Sequence, residues 1–476
     1  MSQPPLFAVV GHPNKGKSSV VATLSQNDAI AIALEPGTTR EHHTYPLSID
    51  GETLYTLVDT PGFQRPRQVL AWLEAHSLSA SDRAETVAAF VQQHRDDPRF
   101  HDECELLTPL INGAGIIYVV DGSVPYSAAH ESEMTILRWT GQPSLALINS
   151  IGTDDHSDTW QAALGQYFQV VRKFNAVTAP FNQHLSLLKA FGQLEPAWES
   201  VLERAVMHLS EQRAQRRHQA ARLIAIALED IMAWQERRTL TTGQPADADR
   251  DALAGQLRQA WYRHQRRREQ ALRLAIEALY QHHRVQRQEA ELEWHSDHDL
   301  FSEDSRQAWG VSRKYLAGAG FGAGALGGAG LDAVTLGSSL GTGALIGGLV
   351  GAAGSYFYGD RLALPVMRLG PLRDGLQTAR FGPVQDSQFG YVVLGRAVDH
   401  WWHISCRNHA GRDTLDLAPA DSHWLETLAP EHRQQIHKAL QRCRKQKPLG
   451  SDQRHRLALA VEAALEAYSR WRLNPG

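Results

Sequence analysis

Short apolar runs alternate with helical patterns over the first 182 residues. Five of these runs have the length and aliphatic content of buried strands. They are Phe7–Gly11, Thr53–Asp59, Ile116–Asp121, Ser144–Asn149 and Phe168–Phe174. Strands that alternate with helices predict a doubly wound α/β domain with a mostly parallel sheet over residues 1–182. Residues 64–110 are longer than a single crossover connection between strands requires. The stretches QVLAWLEAH and ETVAAFVQQH within them predict two added helices.

Residues 186–310 lose the strand pattern and become rich in Arg, Gln, Ala and Leu. Leu253, Leu257 and Trp261 follow helical spacing, and the Gly- and Pro-containing stretch Thr241–Asp249 interrupts it. We predict a stalk of two long antiparallel helices joined at that stretch. Its arginines are interleaved with acids, which fits a solvated coiled-coil face, with a surface for RNA or anionic lipid as the alternative.

A Gly/Ala-rich apolar tract, residues 315–358, carries one charged residue, Asp332. Glycines recur every four residues on both sides of it, the spacing that lets two helix backbones approach closely. Lys314 precedes the tract and Arg361 follows it, so both ends are positive, as for a hairpin with both ends in the cytoplasm. We predict a glycine-zipper helical hairpin over residues 311–360 that inserts into a membrane, with a soluble close-packed hairpin as the alternative.

The remaining residues, 361–476, predict a small α+β domain. It begins with the strand-like run GYVVLGRAV and ends in two helical patterns, around Ser422–Arg444 and Ser451–Leu473.

Composition excludes several classes of protein. The 476 residues are 42% hydrophobic and 21% charged, which excludes a largely disordered or collagen-like chain. The net charge of −4 gives no overall basic field for nucleic acid. Three widely spaced cysteines exclude a disulfide framework and indicate a reducing compartment. The first residues lack a signal-peptide pattern, so we expect a cytoplasmic location.

A phosphate-binding loop follows the first strand. GHPNKGKS (Gly11–Ser18) matches G-x-x-x-x-G-K-[ST] and precedes a helical pattern. Backbone N–H groups of such a loop wrap phosphate oxygens, Lys17 reaches the β- and γ-phosphates, and the Ser18 hydroxyl ligates Mg²⁺. The predicted nucleotide-binding residues here are Gly11, His12, Pro13, Asn14, Lys15, Gly16, Lys17, Ser18 and Ser19. DTPG (Asp59–Gly62) then places Asp59 at the metal and the Gly62 N–H at the γ-phosphate.

These two motifs, with PGTTR (Pro36–Arg40) between them, resemble the bacterial Era/Der/TrmE-like P-loop GTPases of the translation-factor-related class. The resemblance implies GTP as substrate and Mg²⁺ as cofactor, with Thr39 closing on both. It implies a K⁺ site at Asn14. Phe63 stands where Ras-like proteins carry the water-orienting Gln, and Arg40 is the arginine-finger candidate by position alone. The resemblance therefore assigns catalysis to Lys17, Thr39, Asp59 and Gly62, with slow intrinsic turnover.

The base-reading motif departs from the family pattern. The family has N-K-x-D, whereas this chain has Asn149-Ser150-Ile151-Gly152, and Asp154 and Asp155 stand nearby but off register. Asn175-Ala176 replaces the family's Ser-Ala. The resemblance places Asn149, Asn175 and Ala176 at the base, and it leaves guanine against adenine open.

The order of parts also resembles bacterial membrane-associated GTPase-domain proteins with a C-terminal region of unknown function. That resemblance implies a membrane or an integral membrane protein as partner, a homodimer, and a peripheral or hairpin-inserted position at the inner membrane. A soluble RNA- or ribosome-associated assembly GTPase is the alternative, and a nucleotide-binding scaffold with negligible hydrolysis is a third.

Two clusters of potential metal ligands occur late in the chain. One is His400, His403, Cys406 and His409, and the other is His295, Asp297, His298 and Asp299. The spacing of the first fits no zinc knuckle, and the second suits a polar helix end or hinge, so we favour structural roles over metal binding.

Overall fold

The computed structural model describes residues 4–26, 41–240, 247–282, 287–288, 367–371, 377–384, 387–408, 415–416 and 424–473. The glycine tract, the PGTTR motif with Thr39 and Arg40, the 295–299 cluster and His409 lie outside the described residues. The chain divides into two compact units, the first made of Met1–Ala214 with Gln281–Arg284 and Cys406–Asp413, the second of the rest. The domain boundaries predicted at residues 182, 310 and 360 stay predictions.

The first unit contains a six-stranded sheet of order β2-β3-β1-β4-β5-β6, in which only the β2–β3 pair is antiparallel. Its strands are β1 (Leu6–Val10), β2 (His43–Ile49), β3 (Glu52–Asp59), β4 (Gly115–Asp121), β5 (Ser144–Asn149) and β6 (Val170–Lys173). The five predicted strands and the mostly parallel α/β sheet are confirmed. Strand β2 was not predicted, because it is an edge strand with mostly polar, exposed positions and Pro46.

Helices cover both faces of this sheet. They are α1 (Lys17–Leu24), α2 (Pro66–His76), α3 (Arg83–His94), α4 (His101–Ile111), α5 (Glu131–Trp139), α6 (Ser157–Leu164) and α7 (Phe181–Leu194). The two helices predicted between residues 64 and 110 are α2 and α3, and α4 is a third. One core packs α2 to α6 on one face, and a second packs α1 and α7 on the other. This arrangement fixes the loop after β1 at the carboxyl edge of the sheet, where ligands of doubly wound folds bind.

Long helices dominate the second unit. Helix α8 (Pro196–Ala233) enters it at Gln215, and α9 (Asp247–Leu279) packs against that part. Asp230 pairs with Arg268 at 2.8 Å, and the Arg216 guanidinium lies 5.9 Å from the centre of the Tyr280 ring, so the two helices run antiparallel.

Three strands of this unit form a small antiparallel sheet, β7-β10-β9. The bounds are β7 (Glu236–Leu240), β9 (Met367–Pro371) and β10 (Gln377–Phe381), with a short parallel pair β8 (Arg287–Gln288) and β11 (Leu415–Asp416). The last helices are α10 (Gln388–Cys406), α11 (Trp424–Thr427), α12 (Pro430–Arg444) and α13 (Ser451–Leu473).

The run GYVVLGRAV is helical, so its prediction as a strand was wrong. It lies within α10, which is buried on most sides in the core of the second unit. A helix buried on all sides loses its polar stripe and gives the same continuous apolar run as a buried strand. Among the described residues, no helix combines the length and the hydropathy needed to cross a membrane.

Candidate nucleotide-binding site

The loop between β1 and α1 has the backbone of a phosphate cradle. Gly11, Asn14 and Gly16 have φ values of 142°, 61° and 80°. A Cβ at Gly11 would lie 2.4 Å from the Val119 carbonyl oxygen, and one at Gly16 would lie 2.3 Å from Asn149 Nδ2. Only glycine fits these two close approaches. The loop is therefore held against β4 and β5 with its N–H groups around the start of α1.

Lys17 is enclosed by this loop. Its Nζ donates to the carbonyl oxygens of Gly11 at 3.3 Å and His12 at 3.1 Å. Burial lowers the pKa of Lys17 to about 8, although the charges of Asp59 and Glu133 act in the opposite direction. Near pH 7 the Lys17 amine is therefore mostly in its charged ammonium form. This ammonium is poorly solvated, which favours a polyphosphate as its partner.

Ser18 and Asp59 form the second part of the site. The Ser18 hydroxyl donates to Asp59 Oδ2 at 2.7 Å, and Asp59 is buried at the end of β3. Ser18 follows the buried Lys17 directly in the chain. A hydroxyl and a carboxylate at this distance supply oxygen ligands of the kind that Mg²⁺ prefers.

DTPG packs directly on the phosphate loop. A Cβ at Gly62 would lie 2.5 Å from the Pro13 nitrogen, so only glycine fits there. Thr60 donates its hydroxyl to the Val9 carbonyl at 2.8 Å, and the Phe63 N–H donates to the Gly11 carbonyl at 3.3 Å. The Phe63 side chain is fully buried in the core under α2. It therefore fills core volume and does not face a hydrolytic water.

Asn149 ties the loop to the far end of the sheet. Its Nδ2 donates to the Lys15 carbonyl at 3.2 Å, and its Oδ1 accepts from the Ala176 N–H at 3.1 Å. Asn175 Nδ2 donates to the Ser150 carbonyl at 2.8 Å. The structure thus brings together the three residues predicted at the base.

The nearby acids do not substitute for the family aspartate. Asp155 Oδ1 accepts from the Ser157 N–H at the start of α6, and Asp154 is exposed. The structure therefore gives neither of them a place in the Asn149 network.

A cluster that the sequence did not reveal lies beside the loop. His12 Nδ1 is 2.8 Å from Glu133 Oε1, and the Tyr118 hydroxyl donates to Glu133 Oε2 at 2.9 Å. His130 completes the group. The only sequence signal was a histidine inside the phosphate loop, because the other members stand on β4, a 3₁₀ turn and α5.

The histidines of α10 do not form a metal cluster in the described ranges. His400 Nε2 lies 3.2 Å from Glu277 Oε1, and His403 Nε2 lies 3.6 Å from Asp399 Oδ1. Within those ranges, the one group of three or more potential ligands close enough for a metal is His12, His130 and Glu133.

Two family models match this chain. Residues 6–149 match the family model "50S ribosome-binding GTPase", and residues 161–466 match "Domain of unknown function (DUF3482)". GTPase Der of Thermoanaerobacter sp. is 33% identical over 119 residues, covering 24% of this chain and 27% of that protein. GTPase Der of Myxococcus xanthus is 28% identical over 167 residues, covering 35% and 30%. The chain thus spans less than a third of these relatives.

A solved structure of Era in complex with MgGDPNP and a fragment of 16S ribosomal RNA aligns with 58% of this chain and 90% of that chain. Its sequence identity is 15% and its TM-score is 0.29. The second family model covers more than half of the chain. The protein therefore belongs to the family described as "Domain of unknown function (DUF3482)", and its N-terminal part is a P-loop GTPase domain similar to that of GTPase Der.

Proposed function

We propose that this protein binds and hydrolyses GTP with Mg²⁺ and acts as a conformational switch. The observation that carries the proposal is the buried Lys17 inside the glycine loop, next to the Ser18–Asp59 pair. An enclosed ammonium that no carboxylate of the described residues contacts directly is suited to a polyphosphate.

Each residue has a defined task in this proposal. The loop N–H groups and Lys17 bind and orient the phosphates, and Ser18, Asp59 and Thr39 hold Mg²⁺. The Gly62 N–H donates a hydrogen bond to the γ-phosphate. Loss of that phosphate therefore releases Gly62 and lets its loop move. Bound Mg²⁺ neutralises charge on the phosphates. We expect slow turnover without a partner, as the resemblance to the Era/Der/TrmE-like GTPases implies.

The test is nucleotide binding and single-turnover hydrolysis by the full chain with Mg²⁺. We expect GTP to bind, and Lys17→Ala to lose at least about 100-fold in affinity or rate. Lys189→Ala, on an exposed face of α7, is the matched control and leaves both unchanged. Parallel titration with ATP tests base preference, since Asn149 is the retained residue of the base motif. Binding unaffected by Lys17→Ala contradicts the proposal.

We also propose that Asn14 contributes to a K⁺ site that assists hydrolysis. The support is its place in the loop and its φ of 61°, which turns the backbone at that point. Hydrolysis in KCl should exceed hydrolysis in NaCl, and Asn14→Ala should remove the difference while GTP binding persists. Equal rates in both salts contradict this part.

For the cellular role, we propose a cytoplasmic protein that associates with the inner membrane through its glycine tract. The support is the apolar sequence 315–358 with positive ends. The matching family's description as ribosome-binding supports the alternative, a soluble ribosome-associated GTPase. Liposome flotation of the full chain and of a deletion of residues 315–358, with and without GTP, separates them. Flotation of the full chain alone supports the membrane. Co-sedimentation of both proteins with ribosomes, without flotation, supports the alternative.

A further inference from the structure

Three potential metal ligands meet beside the phosphate loop. His12 belongs to the loop, His130 ends a short 3₁₀ turn, and Glu133 lies in the first turn of α5. His12 Nδ1 is 2.8 Å and His130 Nδ1 is 3.7 Å from Glu133 Oε1. All three ligand atoms lie within 4.8 Å of one another, close enough that small side-chain adjustments bring them to a single ion.

The carboxylate of this cluster is fixed in the core. Glu133 is 1% exposed, and the Tyr118 hydroxyl holds its Oε2 at 2.9 Å, so that Oε1 is the oxygen at the two imidazoles. Glu133 therefore offers a carboxylate oxygen to the two imidazoles while a neighbouring hydroxyl orients its other oxygen, as happens for metal ligands that surrounding residues hold in place.

His130 supplies an independent indication of a ligand. It is 8% exposed, and its Nδ1 has no hydrogen-bond partner in the described part of the chain. The 3.7 Å to Glu133 Oε1 is too long for a hydrogen bond. The ring is held edge-on between Trp160 and His12, with centroids 5.1 and 5.3 Å away. A buried nitrogen left in this way costs free energy that a bound ion would recover.

We propose that His12, His130 and Glu133 form a site for a transition-metal dication of the Zn²⁺ class. Two imidazole nitrogens and one carboxylate favour Zn²⁺ over Mg²⁺, so this site differs in chemistry from the Ser18–Asp59 pair. The His12 side chain is 45% exposed, which gives the ion a path from solvent. Three protein ligands leave one position for water.

This site couples to the phosphate loop through His12, whose carbonyl accepts from Lys17 Nζ at 3.1 Å. A dication there adds positive charge beside the loop and fixes its backbone, and both effects favour a polyphosphate. The coupling rests on the proposed nucleotide function, whereas the metal site does not. Zn²⁺ and GTP should each tighten the binding of the other by the same factor, about fivefold or more.

The first experiment measures Zn²⁺ binding to the metal-free full chain by competition with a chromogenic chelator. We expect one Zn²⁺ to bind the wild type, at least about tenfold more tightly than His130→Gln or Glu133→Gln. Half-exposed His12→Gln provides a variant whose folding is least disturbed. His42→Gln is the matched control, because its Nδ1 lies 2.6 Å from Glu105 Oε2 outside any three-ligand group of the described residues. Equal affinity in the wild type and His12→Gln overturns the proposal.

The second experiment measures GTP affinity in excess Mg²⁺, with and without Zn²⁺, in the wild type and His130→Gln. A gain of about fivefold or more in the wild type alone supports the coupling. The same response in both proteins overturns the coupling. A wild type that binds Zn²⁺ tightly but binds no nucleotide contradicts the proposed function and supports the metal site alone.

Discussion

At the scale of single residues, the charge state of Lys17 sets a pH dependence. Its pKa is lowered to about 8 by burial, and bound phosphates favour the ammonium, so nucleotide binding takes up a proton above that pH. GTP affinity should be constant below about pH 8 and fall by up to about tenfold per pH unit above it. Titration calorimetry between about pH 7 and pH 9 measures this. Lys17→Arg is the control, because arginine does not titrate in this pH range and its profile reports only the ionisation of the guanine base. Identical profiles in both proteins would contradict the assignment of the pH dependence to Lys17.

Gly62 offers a steric test of the contact between the two phosphate-side loops. A Cβ would meet the Pro13 backbone at 2.5 Å, so Gly62→Ala must push the loops apart. We expect a loss of about 1–3 kcal/mol in unfolding free energy and weaker GTP binding. Gly255→Ala in α9 is the control, since an added Cβ there meets nothing within 4 Å. Unchanged GTP binding and stability in Gly62→Ala would show that the loops separate freely.

Asn149 tests the bridge between the loop and the base side. Asn149→Ala removes its bonds to the Lys15 carbonyl and the Ala176 N–H, and so leaves one partly buried and one buried backbone group unpaired. The expected cost is about 1–3 kcal/mol, measured by urea unfolding. Exposed Asn112→Ala serves as control. A loss no larger than that of the control would mean that water replaces the bridge.

At the scale of elements, α10 organises the second unit through a buried acid. Asp399 is fully buried, and it accepts from the Tyr468 hydroxyl at 2.5 Å and from Arg472 at 3.0 Å, both on α13. Asp399→Ala leaves the phenol and the guanidinium without this partner, at a cost of about 2–4 kcal/mol. Chemical unfolding followed by circular dichroism measures it. Asp452→Ala, exposed in the first turn of α13, should cost under about 1 kcal/mol.

The elements also show where sequence information ends. Strands β1, β3, β4 and β5 were predictable because buried parallel strands are mostly apolar runs, and the phosphate loop because its residues are contiguous. Strand β6 lies at the sheet edge and is partly exposed, and its short apolar run still marked it. Helix α10 was mistaken for a strand because burial on most sides removed its polar stripe. The metal-ligand cluster was not predictable, because His12 and Glu133 meet only when β1 and α5 pack beside β4. The spacing of these residues along the chain does not indicate that contact.

At the scale of the whole molecule, the two compact units have separate cores, formed by residues 7–209 and 220–468. Because the phosphate loop belongs to the first unit, GTP should stabilise that unit alone. At a concentration about 100 times the Kd, the gain is about 2.7 kcal/mol, which raises the melting temperature of a unit of this size by roughly 5–10 °C.

Differential scanning calorimetry of the full chain can assign the transitions with variants already described. Asp399→Ala should lower only the transition of the second unit, which identifies it. GTP with Mg²⁺ should then raise the other transition, and Lys17→Ala should abolish that rise while leaving the Asp399-sensitive transition in place. If GTP raises the melting temperatures of both transitions equally, nucleotide binding is coupled to the stability of the second unit. The second unit would then be the part of the protein that responds to the switch.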